Sequence, residues 1–147
     1  MERIENRKVR RDYTILETIE AGIVLSGSEV KSIRAHKASL DGAYVDVSGT
    51  KAELLNMDIQ PYQPKNMKEG YDQHQPRTLL LSRTELAKLA DIKKQKGLTV
   101  VPISVYNKGR YLKVSLAVVR GKKKEDKRES LKKQAVERDI GRSLKNR

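Results

Sequence analysis

Alternating apolar and polar residues predict a β-hairpin in the second half of the chain. Val101, Ile103 and Val105 occupy every second position and are predicted to lie on one face of a strand. Residues 112–118 alternate in the same way on the return strand. The turn between them is predicted at residues 107–109, Asn-Lys-Gly.

Further segments also carry strand patterns. Residues 13–25 alternate as one long bent strand or as two consecutive strands. Residues 43–47 and 52–57 are predicted to pair as a hairpin around the turn at 48–50. Residues 79–81 are predicted to form a short strand, so the chain holds about six strands in all.

Two capping-box sequences predict where helices begin. In residues 26–29, Ser-Gly-Ser-Glu, the serine hydroxyl would accept from the glutamate amide, and the glutamate side chain would accept from the serine amide. Residues 82–85, Ser-Arg-Thr-Glu, repeat the pattern. We therefore expect helices at about 27–35 and 83–96, the second ended by Gly97.

These elements predict a mainly β fold with short helices. The tight turns favour a closed antiparallel six-stranded barrel of the oligonucleotide-binding type, and a mixed α+β sandwich is the alternative. The 147 residues leave room for one domain and a tail. We expect a basic N-terminal arm at 1–11, the barrel at 12–120 and a basic tail at 121–147. Residues 59–76, with three prolines and one glycine, are expected to form a long loop.

Positive charge is concentrated at the end of the chain. The formal net charge is +13 and the pI is about 10.0. The last 28 residues hold 12 Lys or Arg against 5 Asp or Glu, which gives +7. This density predicts an RNA or DNA partner, and a tail that only improves solubility is the alternative. The tail has too little apolar surface to fold alone and is expected to be disordered or helical.

Several classes of protein are disfavoured by what the sequence lacks. There is no cysteine, so neither a disulfide framework nor a thiolate metal site is expected. No apolar run approaches the roughly 18 residues of a membrane span, and the N-terminus lacks a secretory pattern. We therefore expect a cytoplasmic protein that does not enter a membrane.

The sequence also lacks a recognisable catalytic pattern. His36 and His74 do not lie at metal-ligand spacing, and no nucleophile elbow, phosphate loop or dinucleotide motif is found. We therefore expect no enzyme activity, no cofactor and no metal. A metal-dependent nuclease is a less favoured alternative. The carboxylates available to it are Asp41, Asp46, Asp58 and Asp72.

Basic residues form three groups, at 7–11, 31–37 and 122–124. Chain ends and helix starts often meet at one rim of a small barrel. If these three groups meet there, they form a continuous positive surface able to follow an RNA backbone.

Several motifs resemble those of one bacterial family. Residues 26–34, SGSEVKSIR, resemble the G-x-E-V-K-S-[LI]-R signature of the SmpB (small protein B) family. Residues 121–128, GKKKEDKR, resemble that family's boundary between barrel and tail. Three further elements match the order of motifs along the family's sequence. They are Asn6-Arg7-Lys8 followed by Tyr13, then Pro61-Tyr62, then residues 77–81. The resemblance covers nearly the whole chain.

The resemblance implies a function in rescuing stalled ribosomes. Members of this family bind the tRNA-like domain of transfer-messenger RNA and bring it, with elongation factor Tu, to the empty A site for trans-translation. The resemblance implies that the tail senses the empty message channel near the decoding centre. We expect a monomer acting as an adaptor. A general ribosomal or initiation-type RNA-binding barrel protein is the alternative.

The resemblance also implies two sets of site residues. The RNA-binding residues are expected to be Asn6, Lys8, Tyr13, Glu29, Lys31, Arg34, Lys122 and Lys123. The residues of the tail expected to contact the ribosome are Asp126, Lys127, Arg128, Leu144 and Lys145. A carboxylate such as Glu29 can accept from a guanine edge or a 2′-hydroxyl, but it can also serve only in the capping box.

Overall fold

The computed structural model describes residues 2–63 and 70–121. Three helices lie in these ranges: α1 at Lys8–Asp12, α2 at Gly27–Arg34 and α3 at Arg83–Lys93. The strands in chain order are β1 Ile4–Glu5, β2 Tyr13–Ile23, β3 Ala38–Ser39, β4 Tyr44–Ser48, β5 Lys51–Leu55, β6 Asp58–Ile59, β7 Arg77–Leu80, β8 Leu98–Lys108 and β9 Tyr111–Gly121. None of the described helices is long and apolar enough to cross a membrane.

The strands build one large antiparallel sheet and one small one. Seven strands pair in the order β1-β8-β9-β2-β7-β5-β4, and β3 pairs with β6. Within the described residues β1 and β4 remain the two edges, so the expected closed six-stranded barrel is not found and the strand count is nine. β1 pairs with the middle of β8, at Ser104 and Val105. β4 lies beside β8 without joining its ladder.

The two predicted hairpins are present. β4 and β5 pair from Tyr44↔Leu55 to Ser48↔Lys51, which leaves a two-residue turn with Gly49 at φ +61°. β8 and β9 pair out to Lys108↔Tyr111, so the turn is Gly109-Arg110 and lies slightly later than predicted. Gly109 has φ +62°, a conformation that costs glycine little and other residues more.

Two β-bulges decide which residues share a face. The β2–β9 register shifts between Ile15 and Glu17, and the β8–β9 register shifts between Pro102 and Ser104. Val105 therefore lies in the main core, whereas Val101 and Ile103 pack on the opposite face. The expectation of one common face for these three residues is wrong, because an extra residue in a strand inverts the alternation beyond it.

The sheet thus carries apolar residues on both faces. The main core is built from Val, Ile, Leu, Ala and Met57, and includes inward residues of β9 such as Leu116. A second cluster joins Val9 of α1 to Val101, Ala117 and Val119. The predicted N-terminal arm at 1–11 therefore contains β1 and all of α1 except its last residue, and it is part of the packed structure.

Both capping boxes form as predicted. Ser26 caps α2 through Glu29, and Ser82 caps α3 through Glu85, with reciprocal hydrogen bonds in each case. α2 ends within one residue of the prediction, but α3 ends at Lys93, three residues early. Gly97, at φ +85°, lies in the turn that leads into β8 and is not the residue that ends the helix.

Candidate nucleic-acid interface

Helix α2 has one buried side and one cationic side. Ser32 and Ile33 are fully buried, and the Ser32 hydroxyl donates to the carbonyl of Gln60 at 2.7 Å. Lys31 and Arg34 are on the other side, where Lys31 is exposed and Arg34 reaches the turn between β8 and β9. Arg34 Nη2 lies 3.5 Å from the Arg110 carbonyl, at the limit of a hydrogen bond. The helix therefore presents two cations outward while its other side is fastened to the body.

Glu29 is part of a buried polar cluster. It is 4% exposed, and its Oε1 accepts from the Ser26 amide at 3.1 Å. Its Oε2 lies 2.8 Å from Arg77 Nη2 and 2.9 Å from Arg77 Nε. The Tyr71 hydroxyl and the Gln75 amide lie 3.3 and 3.4 Å from the same oxygen. Both oxygens of Glu29 thus have partners within the protein.

The electrostatics of this cluster favour ionised Glu29. Burial by itself raises the pKa of Glu29, but hydrogen bonds from the Ser26 amide and the Arg77 guanidinium outweigh it, so the pKa lies below its ordinary value. Burial, followed by the nearby Glu29 charge, raises the pKa of Tyr71. The cluster is therefore a paired carboxylate and guanidinium with a neutral tyrosine hydroxyl.

The cationic group of α1 lies close to the segment that follows α2. Lys8 Nζ is 3.8 Å from Asp41 Oδ2, and both side chains are more than half exposed. Asn6 is buried, and its side-chain amide donates to the carbonyls of Leu40 at 3.2 Å and Pro102 at 3.1 Å. Asn6 therefore links the start of the chain to β8 and to the segment leading into β4.

The ion pair between Lys8 and Asp41 places the first predicted basic group beside the segment that follows the second. Residues 35–41 run from the end of α2 to the ion pair with Lys8. Lys37 on this segment lies over the ring of Tyr62, 5.5 Å from its centroid. The third group, at 122–124, lies outside the described residues, but the chain leaves β9 at Gly121, which is paired with Tyr13.

Tyr13 stands at one end of an open groove beside α1. The groove has a volume of about 440 Å³, and Lys8, Tyr13, Tyr44 and Thr99 are among the residues that line it. Tyr13 is half-buried and Tyr44 is 42% exposed. The groove thus combines a cation with two aromatic rings, the residue types that contact phosphates and bases.

The remaining predicted site residues are not placed by the structure. Lys122 and Lys123 lie outside the described residues. The same is true of the predicted tail residues Asp126, Lys127, Arg128, Leu144 and Lys145.

The outer face of the β2–β9–β8 region carries a network of polar side chains that the sequence did not predict. Glu20 accepts hydrogen bonds from the Tyr106 hydroxyl and, at 2.9 Å, from Lys108 Nζ. Arg3 lies 4.8 Å from the centroid of the Tyr106 ring. Periodicity places Glu20 on the outward face, but only the strand register shows which residues it meets there.

This outer network shifts two pKa values. The hydrogen bond from Tyr106, followed by that from Lys108, lowers the pKa of Glu20. Burial, followed by the hydrogen bond to Glu20, raises the pKa of Tyr106 to about 12. Both shifts favour a carboxylate that accepts from a neutral tyrosine hydroxyl.

An exposed apolar strip lies at the end of β2 and on β7. Leu80 is 58% exposed, and Val24, directly after β2, is 53% exposed. Leu80 pairs with Gly22, whose missing side chain leaves room for it, since a Cβ on Gly22 would lie 3.1 Å from the Leu80 Cβ. Glu20 precedes this strip on β2, so apolar surface and charge lie on neighbouring parts of one strand.

The acidic residues of the nuclease alternative do not converge among the described residues. Asp41 pairs with Lys8, and Asp46 lies 2.6 Å from Lys93 Nζ. Asp58 lies 3.8 Å from His74 Nε2. In residues 2–63 and 70–121, no group of three or more His, Asp or Glu side chains is placed to hold a metal ion. The described structure therefore offers no support for metal-dependent cleavage.

Comparison with known proteins gives consistent matches over nearly the whole chain. The family model described as SmpB protein matches residues 3–146. The SsrA-binding protein of Chloroflexus aggregans is 48% identical over 143 residues, which cover 97% of this chain and 90% of that protein. The SsrA-binding protein of Staphylococcus aureus strain Newman is also 48% identical, and the match covers 97% of this chain and 92% of that protein.

A solved structure agrees with these matches. A chain from "tmRNA-SmpB: a journey to the center of the bacterial ribosome" superposes with a TM-score of 0.70 and is 43% identical. The superposition covers 88% of this chain and 94% of the other.

Proposed function

Because this chain belongs to the SmpB family, we propose that it binds transfer-messenger RNA and delivers it to stalled ribosomes in trans-translation. It acts as an adaptor that makes and breaks no bond, in the cytoplasm and together with elongation factor Tu bound to the same RNA. The observation that carries the proposal is the two-sided construction of α2. Its signature residues Glu29 and Ile33 are buried, while Lys31 and Arg34 face outward.

The RNA-binding face extends from α2 to α1. Lys31 and Arg34 contact phosphates, and Lys8 and Tyr13 extend the contact along the groove beside α1. Lysine and arginine suit this role because neutralising phosphates releases bound counterions, and a folded RNA is recognised largely through its backbone and shape. Lys122 and Lys123, which follow Gly121 in the sequence, bind the same RNA.

Asn6 and Glu29 support the RNA-binding face from the interior of the protein. Both are buried, and the Asn6 amide nitrogen and both Glu29 carboxylate oxygens are bonded to other parts of the protein. Through these bonds they hold α1 and α2 in place.

The tail is the part of the protein that contacts the ribosome. Asp126, Lys127, Arg128, Leu144 and Lys145 contact the ribosome, where the tail lies in the empty message channel near the decoding centre.

RNA binding is tested by the salt dependence of affinity. Lys31→Glu combined with Arg34→Glu should weaken binding to the tRNA-like domain and flatten its salt dependence, by about 0.7–0.9 in log–log slope for each phosphate that is no longer neutralised. Lys94→Glu with Lys96→Glu, an equal change in charge at two exposed residues after α3, is the matched control. Equal weakening in both variants would show that net charge alone matters. Equal affinity of the wild type for ordinary tRNA would favour a general ribosomal or initiation-type protein.

Truncation tests whether RNA binding and ribosome rescue depend on different parts of the chain. Ending the chain after Val119 should leave most binding to the tRNA-like domain, with some weakening because Lys122 and Lys123 are removed. Rescue of ribosomes stalled on messages without a stop codon should be abolished. Full rescue activity of the truncated protein would refute the role of the tail.

A further inference from the structure

The side chain of Arg77 lies at the centre of the structure behind α2. It is 2% exposed and belongs to β7. Its Nε and Nη2 contact Glu29 Oε2, and its Nη1 donates to the Met57 carbonyl at 2.5 Å. Its Nη2 also lies 3.2 Å from the Tyr71 hydroxyl. One guanidinium therefore connects its own strand to three other parts of the chain.

Those parts enclose the buried side of the RNA-binding helix. Glu29 lies in α2, Met57 directly precedes β6, and Tyr71 lies in the segment before β7. The Tyr71 hydroxyl donates to the Ile59 carbonyl at 2.9 Å and so ties β6 to the same cluster. A helix held at this point has its position fixed relative to the sheet.

The spacing along α2 sets the direction of its cations. At about 100° per residue, Lys31 lies about 200° and Arg34 about 140° around the helix from Glu29. Both cations therefore project from the side opposite the one that Arg77 holds. A rotation of the helix about its axis, which the Glu29–Arg77 contact opposes, would turn both cations by the same angle.

We propose that Arg77 is a positioning residue for RNA binding, which holds Lys31 and Arg34 toward the RNA by fixing the rotation of α2 through Glu29. The inference rests on the proposed function, because it assumes that these two cations contact RNA. Arg77 itself has no access to the RNA, since its guanidinium is enclosed by protein.

The geometry requires arginine at this position. The guanidinium is planar and its donors point in fixed directions, so it reaches Glu29, the Met57 carbonyl and the Tyr71 hydroxyl at once. Lysine keeps the charge but offers a single nitrogen on a flexible stem. Arg77→Lys should therefore keep the charge of the cluster while loosening the orientation of α2.

The decisive experiment compares four proteins: wild type, Arg77→Lys, Lys31→Ala with Arg34→Ala, and all three changes combined. Dissociation constants for the tRNA-like domain are measured over a range of salt, at a temperature where circular dichroism shows every variant folded. We expect Arg77→Lys to weaken binding and to lower the salt slope by part of the roughly 1.4–1.8 that two phosphates contribute. Arg83→Lys, the same change at an exposed residue, is the matched control and should have no effect.

Non-additivity separates positioning from general stability. If Arg77 acts through Lys31 and Arg34, adding Arg77→Lys to the double variant should weaken binding little further. Wild-type affinity and slope in folded Arg77→Lys would overturn the proposal. A weakening that adds in full to that of the double variant would also overturn it. If Arg77→Lys does not fold, Glu29→Gln replaces it in the same four-way comparison, because its amide oxygen can still accept from Ser26 while the carboxylate that Arg77 holds is lost.

A second measurement keeps this inference distinct from the proposed function. The measurement is the rate of amide hydrogen exchange at Val30 and Ala35. Their amides donate to the Ser26 and Lys31 carbonyls, each at 3.0 Å, so their exchange reports whether α2 is held in place. These amides should exchange faster in Arg77→Lys, while those of α3 should not change. Unchanged exchange would show that Arg77 does not hold the helix, whatever RNA the protein binds. Failure of the wild type to bind the RNA would instead refute the proposed function.

Discussion

Two capping boxes with nearly identical local geometry allow the energy of the buried ion pair to be isolated. In each box the serine amide donates to the glutamate Oε1 at 3.1 Å, and the glutamate amide donates to the serine Oγ at 3.2 Å. Glu29 has in addition the ion pair with buried Arg77, whereas the hydrogen bonds of Glu85 are exposed. Glu29→Ala and Glu85→Ala therefore remove the same hydrogen bond, from the serine amide to the glutamate side chain, but differ in what else they remove.

The expected difference in unfolding free energy follows from this comparison. Glu85→Ala leaves the Ser82 cap in place and removes one hydrogen bond, that from the Ser82 amide to Glu85 Oε1, which should cost about 0.5–1.5 kcal/mol. Glu29→Ala also leaves the Arg77 guanidinium buried without its carboxylate, and breaking a buried pair in this way costs about 3–5 kcal/mol. Glu29→Ala should therefore be less stable than Glu85→Ala by about 3–5 kcal/mol. This is a large share of the roughly 5–15 kcal/mol that stabilises a typical domain.

Urea unfolding followed by circular dichroism at pH 7 measures both variants, each against the wild type. A difference below about 1 kcal/mol, the value of an exposed ion pair, would refute the assignment of Glu29 to a buried structural pair. If Glu29→Ala does not fold, Glu29→Gln replaces it, because the amide oxygen can still accept from Ser26. Glu29→Gln should then remain less stable than Glu85→Gln.

Three further outcomes are expected. Because the folded pKa of Glu29 lies below its unfolded value of about 4.3, its contribution to stability is complete above that pH and is lost as pH falls through the folded pKa. The free energy of unfolding should therefore fall less steeply with decreasing pH in Glu29→Gln than in the wild type. Equal pH dependence in the two proteins would contradict this. The tyrosinate absorbance of the folded protein should show a step near pH 12 that Tyr106→Phe removes, and a step that persists in this variant would contradict its assignment to Tyr106. Gly109→Ala should destabilise the β8–β9 hairpin by about 1 kcal/mol in urea unfolding, since its φ of +62° is strained for alanine, whereas Gly27→Ala, at a helix start without positive φ, should not.

Features of the candidate site that depend on residues close together in the sequence could be predicted. Features that depend on contacts between distant residues could not. The outward direction of Lys31 and Arg34 follows from helix periodicity once residues 26–29 mark the start of α2. The partner of Glu29 is 48 residues away, and no spacing rule connects them. The network of Glu20 with Tyr106 and Lys108 likewise depends on how β2, β9 and β8 are aligned. Such contacts require the strand register, which the alternation of single strands leaves open.

The sequence alone determined the starts of α2 and α3, the two hairpins and the basic character of both ends, because capping, turn formation and charge each depend on residues a few positions apart. Tertiary structure decided the rest. The bulges after Ile15 and Pro102 redirect apolar residues to a second face, and among the described residues β4 lies beside β8 without pairing with it, so no closed barrel forms there. It also buried Glu29 against Arg77, because a carboxylate removed from water needs a cationic partner, and only the folded chain brings that partner within reach.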